Sequence, residues 1–137
     1  MPQPSTSRLP QGSSTACIEA STFRSIPWAK NREISSRLAH LDVLLPRADD
    51  GDVHGWQAYV IQLDDRDRVL QELRAQGIEA QIGTYALNHL GAFRDQGDFP
   101  GATRVFERAL ALPFHTRLTE GELDRVAEAL DKLVSRH

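Results

Sequence analysis

A chain of 137 residues has room for one domain of ordinary size, and 40% hydrophobic against 26% charged residues is a globular composition. Sixteen Lys and Arg against nineteen Asp and Glu leave a net charge of -3, so the charge balance predicts no grip on nucleic acid or on an anionic membrane surface. One cysteine, Cys17, excludes an internal disulfide framework and a cysteine-based zinc site, and no apolar run approaches the ~18 residues of a membrane span.

Residues 1–26 are rich in Ser, Thr, Pro and Gln, with Ile18 and Phe23 isolated, and show neither a helical nor a strand period. Such a stretch buries too little apolar surface to offset its ordering entropy, so a disordered leader is expected. It lacks a basic region followed by an apolar one, which argues against a secretory signal and for a cytoplasmic protein with reduced thiols. Residues 27–45 read as a helix leading into a domain over residues 27–137: Ile34, Leu38 and Leu41 recur at helical spacing, and Pro46 ends the pattern. After the loop at Asp49-Asp50-Gly51-Asp52, Trp56–Leu63 is short and rich in strand formers, with apolar residues on both faces, and is expected to be the central strand.

Asp64 and Asp65 stand where a helix favours anions, Val69, Leu70 and Leu73 make its apolar face, and Gly77 supplies a left-handed stop. Ile78–Ile82 alternates as a second strand. Gly83–Gly97 has no period, with Tyr85, Leu87, Leu90 and Phe93 as apolar anchors. A helix is expected from Asp98-Phe99-Pro100, with Ala102, Val105, Phe106 and Ala109 as its buried stripe, followed by a third short strand at Leu110–Leu112. Thr119-Glu120-Gly121-Glu122 matches a capping box, and Leu123, Val126, Ala127, Leu130, Leu133 and Val134 follow as the clearest helical face in the chain. There is no internal repeat. The fold class is therefore α+β: a small two-layer domain, its sheet of about three strands packed by helices.

Taken singly, the reactive residues assign no catalytic and no metal site. The glycines match neither a dinucleotide fingerprint nor a phosphate loop, and His40, His54, His89, His115 and His137 are scattered without the paired spacing of a helical metal site. Asp64, Asp65 and Asp67 are explained by the helix start, Cys17 has no base near it, and Ser13-Ser14 and Ser35-Ser36 lack the surroundings of a nucleophile.

An ordered series of blocks carries more. His54-Gly55-Trp56-Gln57-Ala58-Tyr59-Val60-Ile61, Asp65-Arg66-Asp67-Arg68-Val69 with Glu72-Leu73-Arg74, and Gly77-Ile78-Glu79 come first. Ile82-Gly83-Thr84-Tyr85-Ala86-Leu87, Gly97-Asp98-Phe99-Pro100, Ala111-Leu112-Pro113-Phe114-His115 and Leu118-Thr119-Glu120-Gly121-Glu122-Leu123 complete it. In this order and spacing they resemble the C-terminal domain of the DegT/DnrJ group of pyridoxal-phosphate-dependent nucleotide-sugar aminotransferases. Trp28–Leu45 corresponds, more loosely, to the helix that enters that domain.

The resemblance implies a small α+β domain like the C-terminal one of fold-type-I pyridoxal-phosphate enzymes. It implies transfer of an amino group from an amino acid to a keto-sugar linked to a nucleotide. In the family, pyridoxal phosphate is held by a lysine of a large N-terminal domain. Only Lys30 and Lys132 occur here, and neither has that lysine's surroundings, so the chain alone is expected to be inactive and not to bind the cofactor. The resemblance also implies that the segment after the second strand reaches the sugar. Relatives often have His directly after Tyr-Ala-Leu and Pro soon after; this chain has Asn88, then His89, and Gly91 in place of the Pro. Tyr85 and Asn88 are thus the substrate-binding residues implied, with His89 as a shifted substitute. Against this stands a structural reading in which Tyr85 packs under the loop and Asn88 caps a turn, and His115 reads as structural.

Three roles stay open at this point: a separated C-terminal domain, the small subunit of a split enzyme that docks on a separate large domain, or a stand-alone interaction module. A domain adapted to a large partner, or to a homo-oligomer, should expose an apolar patch. Trp56, Tyr59 and Phe93 are the aromatics expected in it.

Overall fold

The computed structural model describes residues 27–135, so the expected leader and the basic end at Arg136 and His137 lie outside the described residues. The first helix, α1 (Pro27–Leu38), begins with Pro in its first turn and buries Ile34 and Leu38 completely. It stops seven residues short of Leu45, contrary to the helix expected over residues 27–45. Beyond it the chain extends, and Leu44 exchanges two backbone hydrogen bonds with Gln62, of 2.8 and 2.9 Å. Those bonds cover the outer edge of β1 (Tyr59–Gln62), which a continued helix would leave bare.

The helix α2 (Arg66–Ala75) buries Val69, Leu70 and Leu73, and Gly77, at φ +74°, stops it as expected. Of the two aspartates at its start, Asp65 takes a left-handed conformation and bonds no helix amide with its side chain, while Asp64 accepts from Arg108 at 2.5 Å. After β2 (Gln81–Ile82) come two short 3-10 helices, Leu87–His89 and Gly91–Gln96, then α3 (Pro100–Arg108), β3 (Ala109–Leu112) and α4 (Glu120–Val134).

The central strand is β3, not β1 as the sequence suggests. Its partners are β1, with Tyr59 opposite Leu112 and Gln62 opposite Ala109, and β2, with Gln81 opposite Ala111 and Ile82 opposite Leu110. Both pairings are antiparallel, so β1 and β2 run parallel to each other with β3 inserted between them. Burial explains the order: Tyr59 and Ile61 of β1 are buried while Val60 and Gln62 are only half-buried, whereas Ala109, Leu110 and Leu112 of β3 are all buried. Helices α1, α2 and α4 close a core in which Tyr59, Ile61, Leu110 and Leu112 meet Ile34, Leu73, Leu123 and Leu130. The fold is a small α+β domain.

The start of α4 is as the sequence reads. The Glu122 amide donates to the Thr119 hydroxyl at 3.3 Å and the Thr119 amide donates to the Glu122 carboxylate at 2.8 Å. That backbone donor holds the Glu122 carboxyl below its ordinary pKa.

The stripe expected on α3 is not buried. Ala102 and Val105 are exposed, Phe106 is half-buried, and Ala109 is buried only because it opens β3. The helix carries the apolar spacing of a buried element, but its Ala102 and Val105 stay exposed.

Candidate functional site

Gly83 roots the candidate loop. Its amide donates to the Ala109 carbonyl at 2.9 Å, extending β2 by one bond. A Cβ at this position would lie 2.5 Å from a Val60 methyl and 3.0 Å from the Ala109 Cβ, so a side chain has no room. From there the backbone turns away from the sheet, and Tyr85 stands 65% exposed.

The two residues that the sequence places next are gathered by a third. Asn88 Nδ2 donates to Thr103 Oγ1 of α3 at 3.2 Å, and His89 Nε2 shares a hydrogen bond with the same hydroxyl at 3.0 Å. Below them lies Phe106, one turn further along α3: its ring centre is 5.2 Å from that of His89 and 6.0 Å from that of Tyr85. On Phe106 sits the guanidinium of Arg66, its Cζ 5.4 Å from the ring centre. Arg66 is 3% exposed; its Nη1 donates to the Ala109 carbonyl at 2.9 Å and its Nε to Asp67 at 2.6 Å.

Tyr85 and Asn88 line a cavity of about 380 Å3 with Ala86, Leu87, Phe93, Phe99 and Ala102. His89 is not among its lining residues; its ring is packed on α3 instead. The Tyr85 ring rests on Phe106 while most of the residue is exposed, and Asn88 bonds a side chain of α3. Around the cavity the surface is apolar, with Leu87, Leu90, Phe93, Phe99 and Val105 all exposed. Of the three aromatics expected in such a patch, only Phe93 belongs to it. Tyr59 is fully buried, its ring beside Trp56 and Phe114 and its hydroxyl 2.8 Å from Ser35 Oγ, and Trp56 is half-buried against the core.

A larger cleft of about 500 Å3 lies elsewhere, lined by His40, Asp42, Asp64, Asp65 and Arg68 among others. Its acidic wall suits an anionic ligand poorly, and it contains none of the residues that the sequence singles out for binding. Among the described residues no group of three or more His, Cys, Asp or Glu is placed to hold a metal ion. Lys30 is 12% exposed and bonded to Glu33 at 2.8 Å, with Glu120 3.8 Å away, while Lys132 is exposed on α4. His115 is exposed beside Leu118 and Glu122, on a cleft away from the loop.

The sequence singles out none of Thr103, Phe106 and Arg66 as a site residue. Thr103 is fourteen and fifteen residues beyond its two partners. Phe106 reads as core, and Arg66 as one charge in a charged run. No local signal in the sequence distinguishes them, because each acquires its role only when α3 folds back on the loop.

Residues 29–131 match the model of the DegT/DnrJ/EryC1/StrS aminotransferase family, and the chain belongs to that family. It is 31% identical, over 95% of its length, to the dTDP-4-dehydro-2,3,6-trideoxy-D-glucose 4-aminotransferase of Saccharopolyspora spinosa, of which it covers 36%. It is 33% identical, over 70% of its length, to the UDP-N-acetyl-3-dehydro-alpha-D-glucosamine 3-aminotransferase of Acidithiobacillus ferrooxidans, of which it covers 27%. The fold is shared with the aminotransferase TlmJ of Streptoalloteichus hindustanus, at a TM-score of 0.74 and 21% identity over 82% of this chain and 31% of that one. It is shared also with DesV of S. venezuelae, at a TM-score of 0.73 and 22% identity over 83% of this chain and 32% of that one. The chain thus spans about a third of the length of such relatives. No helix among the described residues is long and apolar enough to cross a membrane.

Proposed function

We propose that this chain is the C-terminal part of a sugar aminotransferase, inactive until joined by a large lysine-bearing domain, and that its 83–89 loop closes the sugar side of the shared cleft. The observation that carries the reading is the apolar surface at Leu87, Phe93, Phe99 and Val105 around a cavity lined by Tyr85 and Asn88. An isolated module gains nothing from leaving these side chains in water; a domain that seats on a larger body buries them. The family membership and the coverage of about a third of the relatives support a large domain as that body. A cytoplasmic setting belongs to the same reading.

The reaction is the transfer of an amino group from an amino acid to a nucleotide-linked keto-sugar. Pyridoxal phosphate supplies the electron sink for such a transfer when it is bound. The residues of this chain do not fit a role in holding it. A Schiff-base lysine needs an amine free to reach a carbonyl, and the Lys30 Nζ is engaged by Glu33 at 2.8 Å with Glu120 at 3.8 Å. No step is therefore assigned to Lys30 or Lys132. What the chain contributes is binding and orientation. The Tyr85 hydroxyl and the Asn88 carbonyl oxygen have no hydrogen-bond partner among the described residues, so both are open to a sugar hydroxyl.

Two measurements test this. Pyridoxal phosphate titrated into the chain alone should give no saturable Schiff-base absorbance; a saturable band lost in Lys30→Ala would overturn the need for a large domain. Fusion to the large domain of the Saccharopolyspora relative should restore transamination. In that fusion Tyr85→Phe and Asn88→Ala should each raise KM for the keto-sugar about tenfold, the size of one lost polar contact. An active fusion indifferent to both changes would remove the loop from the sugar site.

A further inference from the structure

We propose that Thr103 is a positioning residue for this loop: one hydroxyl on α3 fixes the side chains of both Asn88 and His89, and so sets how the Asn88 amide is presented to the ligand. The inference rests on the sugar-site reading of the loop for its functional meaning, but its geometry stands apart from it.

The hydrogen-bond capacity of a threonine hydroxyl makes the argument. It has one hydrogen to give and two lone pairs to accept with. Asn88 Nδ2 takes one lone pair, at 3.2 Å. The hydrogen and the second lone pair remain, and His89 Nε2, at 3.0 Å, is matched by the hydrogen when that nitrogen is bare and by the lone pair when it carries a proton. The hydroxyl therefore holds both partners in either state of the imidazole. One N–H of Asn88 Nδ2 is committed to Thr103; its carbonyl oxygen and its second N–H have no partner among the described residues. A sugar hydroxyl, which both donates and accepts, matches that pair of groups.

The support beneath this contact is rigid for a loop residue. Thr103 lies in the second turn of α3, its own amide bonded to the Phe99 carbonyl at 3.0 Å. Phe106, one turn on, is backed by Arg66, which is tied to the start of β3 through the Ala109 carbonyl. The strand and the loop are thus connected through α3 by Arg66, Phe106 and Thr103. Any movement of α3 relative to the sheet moves Asn88 with it, whereas Tyr85, held only by ring contact, is left freer.

The test uses the full chain, labelled with 15N, and Thr103→Val, which keeps the shape and removes the hydroxyl. In the wild type the Asn88 side-chain amide and the His89 ring nitrogens should show hydrogen-bonded shifts. In Thr103→Val both should move, and exchange of the Asn88 amide with solvent should quicken about tenfold, as expected for one lost hydrogen bond; Thr103→Ser should restore both. Amides of α4 that stay unchanged show that the valine protein is folded. Wild-type shifts persisting in the folded valine protein, or a serine protein that fails to restore them, would overturn the proposal. In the active fusion, Thr103→Val should raise KM for the keto-sugar about tenfold with kcat changed less than about twofold, and serine should reverse it. A fusion in which Asn88→Ala has no effect refutes the sugar-site reading, while the nitrogen shifts still decide the role of Thr103.

Discussion

Gly83 joins the sheet to the candidate loop at a point where no side chain fits. With a Val60 methyl 2.5 Å from the place of a Cβ, Gly83→Ala forces either the strand or the loop to move. The expected cost is about 1–3 kcal/mol, read as a lower urea midpoint, with the Asn88 and His89 signals displaced. At Tyr59 the question is one of protons. Burial pushes its phenol above the ordinary value, against the hydrogen bond from Ser35, which works the other way. A raised folded pKa means that the unfolded chain gives up this proton first. The contribution of Tyr59 is therefore full below about pH 10 and falls as pH rises further. Alkaline titration of stability should show that fall in the wild type and lose it in Tyr59→Phe; an identical alkaline limb in both would remove Tyr59 as the cause.

At the level of elements, α1 is part of the domain and not a lead into it. Ile34 and Leu38 are fully buried against the core, Arg37 pairs with Glu120 and, at 2.6 Å, with Asp124 of α4, and just past the helix His40 shares a hydrogen bond of 3.3 Å with Asp131. Leu38→Ala should destabilise the whole domain by about 2–5 kcal/mol, a cavity cost that a mere connecting helix would not incur. A hydrogen bond from Lys30 holds the Glu33 carboxyl below its usual range. With the folded pKa lowered, that contribution is present above about pH 4.5 and disappears as pH falls through the folded value. Hydrogen exchange should accordingly show α1 loosening as pH falls below about 4.5, as should the start of α4, whose Glu122 cap is lost with the same sign; unchanged protection of α1 down to about pH 3 would count against the Lys30–Glu33 pair. The contrast is α3, whose apolar spacing equals that of any core helix but whose apolar face stays at the surface.

For the molecule as a whole, the exposed side chains of α3 and the loop make one surface with Leu87 62% and Phe99 48% accessible. Without a large domain to cover it, the chain should self-associate. Sedimentation velocity should show a mass that grows with concentration, and Leu87→Ser with Phe99→Ser should return the chain to a monomer. A compact monomer at all concentrations in the unaltered chain would argue for an independent module instead.

What was legible in the sequence is what short-range chemistry specifies. The capping box at Thr119, the glycine stop at Gly77 and the helical period of α4 depend on neighbours within a few residues, and they are found where the residues place them. Family membership was equally legible, because it rests on the order of blocks along the chain. The tertiary structure alone decided the rest. Whether β1 or β3 lies in the middle depends on pairings 28 to 53 residues apart, and both strands are apolar enough for either place. An apolar stripe states that a face is fit for burial, not what buries it; for α3, Ala102 and Val105 stay exposed among the described residues. Thr103, Phe106 and Arg66 gain their meaning from folding across the sheet, and no local pattern encodes a contact between residues so far apart.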